Sequence, residues 1–174
     1  MIYRLKQFWW AWTARPLSQA QLKRVVAVLV SAEFITLYHT QSYNDQQHTL
    51  RILDLLDQQN EQNNALCQAA LLHDVGKTRL SLSILDRVLI VLASRLIPRR
   101  AAGWGDDPNP PYRHRKAFVV KQWHAAWGAE MVAQLGGDTL TINLIRRHQD
   151  TLIGDGEVEE DRLLRQLQWA DDQS

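Results

Sequence analysis

The sequence predicts an all-α fold, a compact helical bundle with a long loop insertion. Apolar residues recur at steps of three and four through most of the chain. No stretch alternates apolar and polar residues in the way a half-buried strand does. Helix start and stop signals fall between the periodic stretches.

Taken in order, the first helix is expected from Ser18 to Tyr38, ended by the polar stretch His39–Gln47. Helical patterns follow at His48–Gln59, Asn63–Lys77 and Leu82–Ile97, and Pro98 stops the last of these. Phe118–Leu135 ends at Gly136-Gly137, and Asp138 or Thr139 can cap Thr139–His148. Asp155, Glu157, Glu159 and Glu160 place negative charge at the start of Val158–Asp171, where a helix dipole favours it. Pro98–Lys116 carries two isolated glycines, three further prolines and a basic end. A structureless loop of that length inside a compact domain is a solvated surface loop or a lid facing phosphate. The expected organisation is one domain over residues 1–174. Within it lie a helical extension at 1–40, a chemistry-bearing core at 48–171 and the insertion at 98–116.

The chain has 174 residues, 45% hydrophobic and 22% charged, which is a globular balance. Twenty basic residues against nineteen acidic ones give a net charge of +1, so composition offers no argument for a nucleic-acid partner. A single cysteine, Cys67, excludes an internal disulfide. It fits a reducing compartment, and a cytoplasmic location is the expectation. The apolar stretches Val25–Tyr38 and Leu82–Ile97 are interrupted by charges and fall short of the roughly 20 residues a membrane span needs. Trp9, Trp10 and Trp12, beside Arg4, Lys6 and Arg15, could lie on a membrane surface or pack onto the domain.

The chemistry is carried by histidines and aspartates on apolar helix faces. His73 follows Leu66, Ala69 and Ala70 at helical steps, and His48 is followed by Ile52, Leu55 and Leu56. His124 shares a face with Trp127, Gly128 and Met131, and His148 lies below Leu144 and Ile145. Asp171 lies below Leu164 and Leu167, whereas Asp172 is rotated away by about 100°. One inward histidine is ordinary core. Four, with two inward aspartates, call for a shared cation, because a buried carboxylate is costly unless paired or metal-bound. In the run His73-Asp74-Val75-Gly76-Lys77 two adjacent ligands reach one ion, Gly76 lets the chain pass close, and Lys77 can meet an anionic substrate.

QHTLRILDLL, ALLHDVGK, HAAWGAEM, LIRRHQD and LQWADD, in this order over His48 to Asp171, resemble the successive signatures of HD-domain phosphohydrolases. The resemblance implies a helical bundle in which His48, His73, Asp74 and Asp171 ligate one metal. His124 and His148 match the added ligands of two-metal members, with Asp74 bridging. Lys77 matches a lysine beside the substrate phosphate, so Asp74 and Lys77 are the expected catalytic pair. The implied cofactor is one or two divalent ions, Fe, Mn, Co or Ni, with Mg or Zn as alternatives. The implied reaction is hydrolysis of a phosphomonoester, phosphodiester or phosphoanhydride bond of a nucleotide-like substrate by metal-activated water. Arg146 and Arg147 are either solvated or additional phosphate contacts. No glycine-tyrosine-proline signature follows, and His148 is followed by Gln149 rather than a second histidine, unlike the cyclic-dinucleotide phosphodiesterases. The ligand pattern is similar to two-metal hydrolases of dinucleoside polyphosphates. The alternatives are a one-metal nucleotidase, a ligand-binding regulatory module without turnover, and a membrane or nucleic-acid adaptor.

Overall fold

A computed structural model describes residues 15–108, 115–152, 154 and 158–174. Trp9, Trp10, Trp12, His114, Asp155 and Glu157 lie outside the described residues. The fold is all-α: among the described residues there is no strand. Helix α1 spans Gln19–Leu29, α2 Ala32–His39, α3 Tyr43–Gln58 and α4 Asn64–Leu72. A 3-10 helix at Val75–Arg79 precedes α5, Ile84–Leu96, and α6, Pro98–Ala101. A second 3-10 helix at Ala102–Gly105 leads to α7, Lys116–Gln134, α8, Thr139–Arg147, and α9, Glu159–Gln173.

Local chemistry explains most boundaries. Ser18, Ser31, Ser42, Asn63 and Ser83 each cap a helix by accepting a backbone N–H three residues on. Asp138 caps α8 by accepting from Leu140 and Thr141. Gly136, at φ 79°, takes the left-handed turn that ends α7.

Four expectations need correction. The single helix over Ser18–Tyr38 is two, because Val30 adopts φ 58° and Ser31 starts α2 as its cap. The helix over Asn63–Lys77 stops at Leu72, and Val75–Arg79 tightens into a 3-10 helix that follows Asp74. Residues 98–105 are not structureless: Pro98, having ended α5, opens α6 as a helix-compatible first residue. The following 3-10 helix docks on α7, where Trp104 stacks edge-on against Phe118 and Trp123 donates its indole N–H to the Gly105 carbonyl at 2.8 Å. Helix α3 also starts earlier than expected, at Tyr43, since Ser42 caps it inside the polar stretch.

The main core joins α3, α4, α7, α8 and α9 through Leu53, Leu56, Leu66, Val132, Leu144 and Leu164. Val25, Leu29, Phe34 and Tyr38 of α1 and α2 belong to the same buried cluster. Gly76 and Gly128 set the spacing between the first 3-10 helix and α7. A methyl group on Gly76 would lie 2.0 Å from the His124 carbonyl oxygen, so backbone meets backbone there. Gly76 therefore serves close approach to α7 rather than an unusual turn.

Candidate metal centre

The six sequence-predicted ligands converge from five places in the fold. His48 comes from α3, His73 and Asp74 from the end of α4, His124 from α7, His148 from the end of α8 and Asp171 from α9. His48 Nε2 lies 3.0 Å from Asp171 Oδ1 and 3.9 Å from Asp74 Oδ2. His73 Nε2 lies 3.5 Å from Asp74 Oδ2 and 3.9 Å from Asp171 Oδ1. The other oxygen of Asp74 is 3.4 Å from His124 Nε2, which stands 3.2 Å from His148 Nε2. Ligand-type atoms of His48, His73 and Asp171 all lie within 4.8 Å of one another, as do those of His73, Asp74 and His148.

Which nitrogen carries hydrogen follows from what lies behind each ring. His73 Nδ1 faces the Ala70 carbonyl at 3.1 Å, His148 Nδ1 faces Ile145 at 2.7 Å, and His124 Nδ1 faces Val120 at 2.8 Å. A carbonyl only accepts, so each Nδ1 donates. His48 Nδ1 meets the Ser174 hydroxyl at 2.9 Å, and that hydroxyl gives its own hydrogen to the Asp171 carbonyl, so His48 donates as well. In the neutral rings all four Nε2 atoms then present lone pairs to one space shared with two carboxylates. This is the outer-shell arrangement that fixes metal-binding imidazoles. His73 Nε2 is buried without a hydrogen-bond partner. A divalent cation would satisfy that orphaned atom and reconcile the facing lone pairs of His124 and His148. The residues present fit the group.

The protonation states agree. Burial pushes the His73 imidazole below its ordinary range and His148 down to about 3, so both are neutral near pH 7. Burial opposes ionisation of Asp74, yet Lys77, His73 and His124 hold its carboxyl well below the usual range. Asp171 is lowered too, with burial outweighed by His48 and His73. These are the deprotonated forms that bind metal.

A pH dependence follows for metal-free protein. Unfolded, His148 takes up a proton near its ordinary pKa of 6.5; folded, it does so only near 3. Its contribution to stability is therefore full above pH 6.5 and is lost as pH falls towards 3. The lowered carboxylates of Asp74 and Asp171 add losses only below their ordinary pKa of 3.8. Between pH 7 and pH 5, His148 alone removes about 2 kcal/mol. Thermal melts of chelator-treated protein should drop by roughly 4–8 °C over that interval; a flat profile would contradict neutral burial of this histidine.

Lys77 pairs its ammonium with Asp74 Oδ2, and its side chain is 40% exposed. Its charge is favoured: burial works against it, but Asp74 and the nearby Asp45 and Asp171 outweigh burial. Of the two arginines considered as phosphate contacts, Arg147 is committed elsewhere. It pairs with Glu160, with Asp161 at 2.7 Å and with Asp150 at 3.4 Å, tying α8 to α9. Arg146 is exposed and, with Arg79, Trp123 and Trp127, lines a cavity of about 470 Å³. Arg79 stacks over the Trp127 ring at 5.1 Å.

Sequence reasoning missed the residues that hold the ligands from behind. Gln41 donates to the Leu71 carbonyl at 3.1 Å, and Gln46 donates to the Gln41 carbonyl at 2.9 Å. The pair locks the start of the His48 helix to the end of the helix before His73. Tyr38 donates to the Gln46 carbonyl at 3.0 Å. Two glutamines in a polar run look like loop, and no signal in the sequence separates buried amides from exposed ones. Ser174 was likewise invisible as a partner of His48.

No curated protein and no solved structure matches the chain. A family model described as HD domain matches residues 46–173, beginning two residues before His48 and ending two beyond Asp171. With that match over most of its length, the chain belongs to the HD-domain family, within the superfamily of metal-dependent phosphohydrolases.

Proposed function

We propose that this protein hydrolyses a phosphate ester or anhydride bond of a nucleotide-like substrate, with divalent transition metal held by His48, His73, Asp74, His124, His148 and Asp171. One observation carries the reading: the Asp74 carboxylate has one oxygen against His124 and the other against His73 and His48. That position lies between two ligand groups, so Asp74 would be shared if two ions were held there. When bound, such ions lower the pKa of water and neutralise charge developing on phosphorus. The chain's own residues do the rest. The backbone carbonyls behind His73, His124 and His148 fix the rings, Asp74 stays ionised, and the partly exposed Lys77 offers its ammonium to a phosphate oxygen. A nucleotide-like substrate is supported by the cavity of Trp123, Trp127, Arg79 and Arg146. Most of its lining residues stand on the 3-10 helix, α7 and α8, the elements next to Asp74, His124 and His148; Leu80 and Pro108 complete it, and Glu130 of α7 pairs with Arg79 at 3.1 Å. Aromatic and guanidinium faces there suit a planar base.

The test is elemental analysis paired with a hydrolysis screen. Substrates should span nucleoside mono-, di- and triphosphates, dinucleoside polyphosphates and cyclic dinucleotides, each with Mn²⁺, Fe²⁺, Co²⁺, Ni²⁺ and Mg²⁺. Two ions per chain are expected, falling towards one in His124→Ala or His148→Ala while helicity is kept. Full metal content and activity in both variants would refute the second site. Metal without turnover on any substrate would make the chain a binding module instead.

A further inference from the structure

The outer face of α5 is the feature the metal centre leaves unexplained. Leu85, Val88, Val91, Leu92 and Leu96 are exposed by 79, 43, 48, 50 and 72%. Steps of three and four residues bring them to one side of the helix. The opposite side is already used, with Ala93 buried and Ile90 packed in the cluster of Ala101 and Phe118. Helix α5 is thus apolar on both sides, and among the described residues only one side is packed against a partner. An apolar patch of this kind on a protein surface marks an interaction site.

Charge identifies what covers it. The one acid of α5, Asp86, is buried and folded back on Ser83 in a capping box, so it does not reach the open face. Arg95 in the last turn, with Arg99 and Arg100 just beyond, is exposed, and no acid is ion-paired with any of the three among the described residues. From Arg95 to Lys121 the sequence holds seven Lys or Arg and two acids. A row of apolar side chains followed in sequence by exposed arginines matches the boundary between acyl chains and anionic headgroups. The sequence contains a second segment of like chemistry, Trp9, Trp10 and Trp12 with Arg4 and Lys6, and tryptophan favours that same boundary. No helix among the described residues is long and apolar enough to cross a membrane. We propose that the chain docks on an anionic lipid surface through the outer face of α5 and the arginines that follow it.

The experiment is co-sedimentation of the full chain with vesicles of phosphatidylcholine alone and of phosphatidylcholine mixed with phosphatidylglycerol. Binding should require the anionic lipid and weaken as salt is raised. Joint Val88→Asp and Leu92→Asp substitution should lower partitioning at least about tenfold. Arg99→Ala and Arg100→Ala should each lower it roughly fivefold. All four side chains are exposed, so melting temperature and metal content should hold. Should the double aspartate variant not fold, the arginine variants still give the reading. Failure to sediment with the mixed vesicles would overturn the proposal. So would undiminished binding by both sets of variants. A dimer that the aspartates convert to monomer, without vesicle binding, would overturn it too, assigning the face to a second copy.

Discussion

Asp74→Ala should strip the protein of most of its metal and lower phosphohydrolysis by at least about 10³-fold. Both carboxylate oxygens of Asp74 face ligand nitrogens, one towards His124 and one towards His73 and His48. His73 also belongs to both ligand groups, but Asp74 is the member that brings a negative charge to both. Its removal takes away a negative charge as well as a ligand, so ions in either half lose affinity. The partner left behind, Lys77, is 40% exposed and returns to water, so no uncompensated charge is buried. Metal-free variant and metal-free wild type should therefore melt within a few degrees of each other, while the metal-dependent rise in melting temperature disappears. Elemental analysis with paired melts reads this out. A variant that keeps its metal would remove Asp74 from the centre of the site.

Lys77→Ala should cost turnover roughly 30- to 1000-fold, about 2–4 kcal/mol, with metal content nearly unchanged. The lysine lies one turn beyond Asp74 and pairs with it, yet its side chain keeps substantial contact with solvent. A group buried only to hold the fold would not be open in this way. Because Asp74 keeps its charge favourable, the ammonium is available near pH 7, where His73 and His148 are neutral. Single-turnover kinetics on metal-saturated enzyme separates the possibilities. Wild-type turnover would exclude a substrate role. Loss of metal together with turnover would show that Lys77 acts only through Asp74.

The fold class and the convergence of the candidate ligands were legible because both depend on side-chain periodicity. His48, His73, His124, His148 and Asp171 lie in line with apolar neighbours on their own helices, and that line survives errors in the ends of those helices. The break at Val30 was not legible, because a lone serine inside an apolar pattern reads as helix until its capping bond to Phe34 is seen. The Gly76 contact was not legible: a turn close to the metal was expected, whereas the glycine admits the backbone of α7, and contacts across distant segments leave no local period. The same limit hid Gln41, whose partner is the carbonyl of Leu71. Arg147 was undecidable from its own helix and is settled by acids on α9.

The ligands come from α3, α4, α7, α8 and α9, so the chain must already be nearly folded before the cluster exists. Loading it amounts to stapling residues from opposite ends of the matched region, much as a cross-link closes a long loop. The gain falls mostly on the ensemble of open chains, which lose their freedom to separate those ends. On the proposed reading, metal supply would govern lifetime as well as catalysis, since an ion held by this cluster would tie the last helix to the rest of the bundle.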